Sequence, residues 1–146
     1  MPARPPSPRP CGSCPYRQDV PSGIWDTSEY TKLTAYDAPT YAQPDRLFLC
    51  HQHDRDDNDA RVCAGWAGCH DGDHLLALRV AVSSSEITAQ TAAAIRDYVS
   101  PVPLFASGVE AAAHGIREIR SPSVAARTAI EKITRSRADL AEGPTS

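Results

Sequence analysis

A chain of 146 residues with a formal net charge of -3 has room for one domain with a modest core and little for a second. The acidic balance excludes an overall basic field for a phosphate backbone, and there is no apolar run of about eighteen residues to span a bilayer. Five cysteines behind a start of prolines and arginines, with no apolar leader, point to a reducing cytoplasm, where an odd thiol count favours metal binding over disulfides.

In chain order, residues 1–10 (MPARPPSPRP) carry no aliphatic side chain larger than Met1 and are expected to be a disordered tail. Residues 11–73 are rich in Cys, Pro, Gly, Asp and aromatic residues without a sustained period, which predicts a loop-rich module organised around a metal. From His74 the pattern turns helical. His74 to Val82 reads as a short helix buried on most sides, and Ser83 to Ser85 ends it and caps the next. Ile87, Thr91, Ala94, Ile95 and Tyr98 form one face of a second helix within 86–99, stopped by Pro101 and Pro103. Ser107 and Glu110 fit a capping box before a third helix, with Val109, Ala112, Ala113, Ile116 and Ile119 as its inward face. Ser121-Pro122 is the expected start of a fourth, with Ala126, Ala129, Ile130, Ile133 and Leu140 as its stripe and Gly143-Pro144 as its end. The expectation is thus a mainly α fold, one domain over 11–141, with an irregular metal-organised half, about four helices over 74–141 and a disordered tail at 142–146.

The chemistry is concentrated in the cysteines. Cys11 and Cys14 form a C-x2-C knuckle, Gly12 and Ser13 being small enough to allow it; Cys50 follows after thirty-five residues and Cys63 after twelve more. A hairpin or loop return is needed between Cys50 and Cys63, and Asp54 to Asp59 supplies a polar turn. Four thiolates suit tetrahedral zinc, and equally an iron–sulfur cluster, since soft sulfur donors select both. Zinc (Zn2+) takes precedence because nothing in the spacing demands iron, with a 4Fe-4S cluster as the alternative.

His51 and Cys69 are the lesser candidates for ligands: His51 follows Cys50 and suits an outer role, while Cys69 stands six positions beyond Cys63. His53 opens an acidic loop that lacks the glycine and the glutamate of a calcium loop. His114, four residues after Glu110, is expected on a polar helix face, and no catalytic residue is assigned. The aromatic residues Trp25, Trp66, Tyr16, Tyr30, Tyr36, Tyr41 and Phe48 share this half and are expected to form core and an apolar lid over the sulfurs.

The strings CGSCPYRQDVPSGIW, LFLCHQ and CAGW, together with PLFASG at 103–108, resemble an uncharacterised family of small cysteine-rich proteins from actinobacteria and their phages. The resemblance implies that Cys11, Cys14, Cys50 and Cys63 are signature positions beside Gly65 and Trp66, and leaves Cys69 outside. It implies no activity. The function expected is a non-enzymatic accessory or interaction module with a macromolecular partner, a protein more than a nucleic acid, since Arg127, Lys132, Arg135 and Arg137 are diluted by Glu131 and Asp139. A redox or sensing iron–sulfur protein is the alternative, and a metal-dependent hydrolase near His51 and His53 the last choice.

Overall fold

The computed structural model describes residues 3–50 and 60–136. Among them are six α-helices and no extended strand: α1 Thr27–Ala35, α2 Ala64–Cys69, α3 Leu76–Ser83, α4 Ala89–Arg96, α5 Gly108–Arg117 and α6 Val124–Ser136. Two short 3-10 turns, Thr40–Ala42 and Gly72–His74, join the pieces. The fold is mainly α, and none of its described helices is long and apolar enough to cross a membrane.

The four helices expected from periodicity correspond to α3 to α6, with differences at their ends. The serine run ends α3, Ser84 donating its N–H to Val80 O, but α4 is capped by Thr88, whose hydroxyl accepts the Thr91 N–H. At α6 the cap is Ser123 and not Ser121: the Ser123 hydroxyl accepts the Ala126 N–H at 3.1 Å, leaving Pro122 outside the helix. Ser107 caps α5 through the Glu110 N–H, while the Glu110 carboxylate reaches the Ala106 N–H, one residue earlier than an ideal capping box.

The inward face of α5 departs most from expectation. Gly108, Ala111, Ala112 and Gly115 are buried, whereas Val109, Ala113 and Ile116 face outward. The reason is α1, which packs against α5 with Tyr30 and Leu33 buried between them. A methyl group at Gly115 would fall on the Tyr30 ring, and one at Gly108 on the Leu33 carbonyl, so the approach is close enough to demand small residues. The Tyr30 hydroxyl accepts the N–H groups of Ile24 and Trp25, which ties the segment before α1 to the same interface.

Asp37, two residues past α1, sends its carboxylate to the start of α5, accepting from Gly108 N at 2.9 Å and Val109 N at 2.7 Å. Two otherwise unpaired helix N–H groups are satisfied by an anion placed where the helix dipole favours it. Asp37→Ala is therefore expected to cost about 1–2 kcal/mol, the range for losing a helix cap. Urea denaturation measures it, and an unchanged midpoint would remove Asp37 from the helix end.

The first residues also have partners. Arg4 N donates to Ala60 O and Val62 N to Arg4 O, both at 3.0 Å, and the Tyr98 hydroxyl donates to Pro8 O. The segment read from composition as a tail thus meets 60–62 at Arg4 and Pro5 and Tyr98 at Pro8.

Candidate metal centre

The C-x2-C knuckle closes as a turn, with Cys14 N–H donating to Cys11 O at 3.0 Å and Arg17 N–H to Cys14 O at 3.1 Å. Arg17 reinforces it from outside, its guanidinium donating to the carbonyls of Pro10 and Cys11 and pairing with Asp19 at 2.7 Å. The Trp25 indole N–H donates to Ser13 O at 2.8 Å, so a buried aromatic residue fixes the knuckle from the core side. Beyond it, Phe105 N–H donates to Tyr16 O and Gln18 N–H to Pro103 O, which places PLFASG directly beside the knuckle's exit.

Cys50 and Cys63 are brought together by a short antiparallel pairing of Leu49 with Val62. Cys50 N–H donates to Arg61 O and Cys63 N–H to Phe48 O, each at 2.8 Å, as the return between these cysteines requires. The segment between them, with His51, His53 and the aspartates of 54–59, expected to supply a polar turn, lies outside the described residues. Cys63 then caps α2, its sulfur accepting the Trp66 N–H at 3.4 Å.

These two units place the four sulfurs in a chain of contacts. Cys14 Sγ lies 3.9 Å from Cys63 Sγ, and the Cys11 sulfur interacts with both Cys14 and Cys50. Cys14 and Cys63 are buried, Cys11 and Cys50 half-buried. Hydrogen bonds from Cys14 and then Cys50 hold the Cys11 thiol well below its ordinary range, whereas Cys11, Cys63 and burial together push Cys14 well above it. Sulfurs this close cannot all be thiolates unless a cation compensates them. As they stand, no three His, Cys, Asp or Glu side chains among the described residues are arranged to hold a metal ion.

Gly65 is the residue that lets Cys14 reach Cys63. A methyl group there would collide with the Cys14 sulfur and come within 2.8 Å of Tyr16 Cβ, whereas one at Gly12 meets nothing within 4 Å. The small residue required for sulfur approach is thus in α2 and not inside the knuckle. Gly65→Ala would gain about 1 kcal/mol in helix propensity but lose about 1–3 kcal/mol to overpacking. Net destabilisation is expected in urea titration, and a more stable variant would show that the approach is looser than described.

Tyr16, Tyr36, Phe48, Trp66 and His70 pack mostly edge to face beside the sulfurs, with ring centroids 5.5 to 6.4 Å apart. Tyr41, expected among them, is 86% exposed. Cys69, the last residue of α2, lines a cavity of about 440 Å³ with Tyr36, Asp37, His70, His74 and Ser107. Burial, with Asp37 and Cys63 adding, pushes its thiol up to about 12, which makes it a poor nucleophile. Burial likewise lowers His70 against the pull of Asp37, whose carboxylate is 4.0 Å from its Nδ1. Asp37 was not singled out in the sequence because its partners lie about seventy residues away. His114, expected on a polar face, is half-buried and bonds Val20 O through Nε2 at 2.7 Å, clasping the segment before α1.

No curated protein and no solved structure matches the chain. A family model does match, over residues 6–135, spanning the cysteine knuckle, the hairpin and all but the last residue of α6. The chain belongs to DUF6283, a family of unknown function.

Proposed function

We propose that the chain is a small zinc protein in which Cys11, Cys14, Cys50 and Cys63 close a structural site that organises residues 11–73. The observation that carries this reading is the 3.9 Å separation of the Cys14 and Cys63 sulfurs, with the shift of the Cys11 thiol by Cys14 and Cys50 in support. Zinc–sulfur bonds of about 2.3 Å set the corners of a tetrahedron about 3.8 Å apart. A 4Fe-4S cluster inserts a metal–sulfide edge between its ligating sulfurs and would hold them further apart. The Trp66 N–H bond to Cys63 and the aromatic wall are what a sulfur-ligated site uses to fix its thiolates and exclude water.

The role that fits such a closed site is a non-enzymatic accessory or interaction module of actinobacterial or phage origin, located in the cytoplasm. A protein partner is favoured over a nucleic acid by the apolar Val109, Ala113 and Ile116 on the outer face of α5 and by Glu131 among Arg127, Lys132 and Arg135 on α6. Elemental analysis of protein produced with both zinc and iron supplied tests the metal. One zinc per chain is expected. A brown protein carrying iron and acid-labile sulfide would replace zinc by the cluster, and a folded protein free of metal would end both readings.

A further inference from the structure

We propose that the four-cysteine cluster is also an oxidation site, in which a hydroperoxide joins Cys11 to Cys50 and Cys14 to Cys63 as two disulfides. The inference rests on the grouping of the four cysteines proposed above, but not on the identity of the metal.

Burial sets the order. Cys14 and Cys63 are buried and lie 3.9 Å apart, which leaves the half-buried Cys11 and Cys50 as the outer pair. An oxidant from solvent meets the outer pair first. One of its sulfurs attacks the peroxide O–O bond, taking one oxygen as a sulfenic acid while the other leaves as water. The neighbouring sulfur attacks the sulfenic sulfur, forming the S–S bond and expelling a second water. With Cys11 and Cys50 joined, Cys14 and Cys63 are left facing one another and react in the same way. Over the whole sequence, two hydrogen peroxide molecules and four protons convert four zinc-bound thiolates into two disulfides, four waters and one free Zn2+; sulfur loses the four electrons that peroxide oxygen gains.

Both bridges join the knuckle to the hairpin, the same two segments the metal would join. The oxidised, metal-free chain therefore keeps the constraint that the reduced, metal-free chain loses. Cys69 takes no part: its protonated thiol faces the separate cavity beside Asp37 and His70.

The test treats the full-length protein, as purified, with hydrogen peroxide. Zinc release is followed with a chromophoric chelator, cross-links are mapped by tandem mass spectrometry, and helicity is read by circular dichroism. Release of about one zinc per chain, links Cys11–Cys50 and Cys14–Cys63, and retained helicity reversible by dithiothreitol are expected, with Cys69→Ser behaving identically. A Cys11–Cys14 link, a link through Cys69, or sulfinic and sulfonic acids in place of disulfides would overturn the proposal. The two readings fail separately. Protein that purifies without metal yet forms the two links removes the zinc and keeps the oxidation site, and zinc-loaded protein whose thiols stay unmodified does the reverse.

Discussion

On the proposed zinc site, Cys63→Ser is expected to abolish zinc binding and, with it, the organisation of residues 11–73. Cys63 has two roles at once: its sulfur lies against Cys14, and it caps α2 by accepting the Trp66 N–H. A serine hydroxyl can still cap a helix, and does so well, so the local helix start is not what is lost. What is lost is a thiolate, for which a hydroxyl is a poor substitute at a soft metal. Structural zinc contributes an apparent binding free energy of about 10–16 kcal/mol, which exceeds the net stability of about 5–15 kcal/mol typical of a whole domain. The variant should therefore purify with no zinc and lose cooperative thermal unfolding, and a chelator should bring the wild-type chain to the same state. Cys11→Ser, Cys14→Ser and Cys50→Ser should behave alike. Cys69→Ser, in the separate cavity, should keep its zinc and its melting temperature. Metal retained in Cys63→Ser but lost in Cys69→Ser would transfer the site to the Asp37, Cys69 and His70 cavity.

Trp66→Ala should destabilise the chain by about 3–5 kcal/mol through the cavity it leaves, without removing the metal. Trp66 has no exposed surface and stands edge-on to Tyr36, with centroids 5.5 Å apart. Its backbone N–H, the group that reaches Cys63, survives the substitution, so zinc content should stay at one per chain where Cys63→Ser falls to none. Its indole Nε1 is buried without a hydrogen-bond partner among the described residues. Leaving such a donor unpaired costs about 1–3 kcal/mol, so Trp66→Phe, which removes it and keeps most of the apolar volume, should cost much less than Trp66→Ala. Urea denaturation of the zinc-loaded variants separates the two effects. Equal losses in Trp66→Phe and Trp66→Ala would mean that the indole N–H is bonded and that the ring's volume is not what matters.

What the sequence determines by itself is local. The apolar repeats from His74 onward, with Ser107 and Glu110 opening one of them, place four helices over 74–141, which correspond to α3 to α6, because capping and 3.6-residue periodicity act within a few residues. The same kind of signal existed for α1: Asp26 caps it by accepting the Ser28 N–H, and Glu29 follows three residues after Asp26, ahead of Tyr30 and Leu33. It was obscured by the surrounding prolines and glycines, which read as loop. The hairpin before Cys63 was legible only as a need, since spacing shows that Cys50 and Cys63 must meet and not how.

Only the tertiary structure decided which face of α5 turns inward. By hydrophobicity Val109, Ala113 and Ile116 belong to the core, but α1 approaches so closely at Leu33 and Tyr30 that Gly108, Ala111, Ala112 and Gly115 are the residues that fit. Close helix contact rewards small side chains through dispersion over a larger area, and this outweighs the burial of two β-branched residues on the other face. The same holds at the cysteines. The knuckle spacing could be read from Cys11 and Cys14, but the glycine that admits the Cys14 sulfur is Gly65, more than fifty positions along the chain. Only folding, which stacks α2 against the knuckle, makes the absence of that one side chain matter.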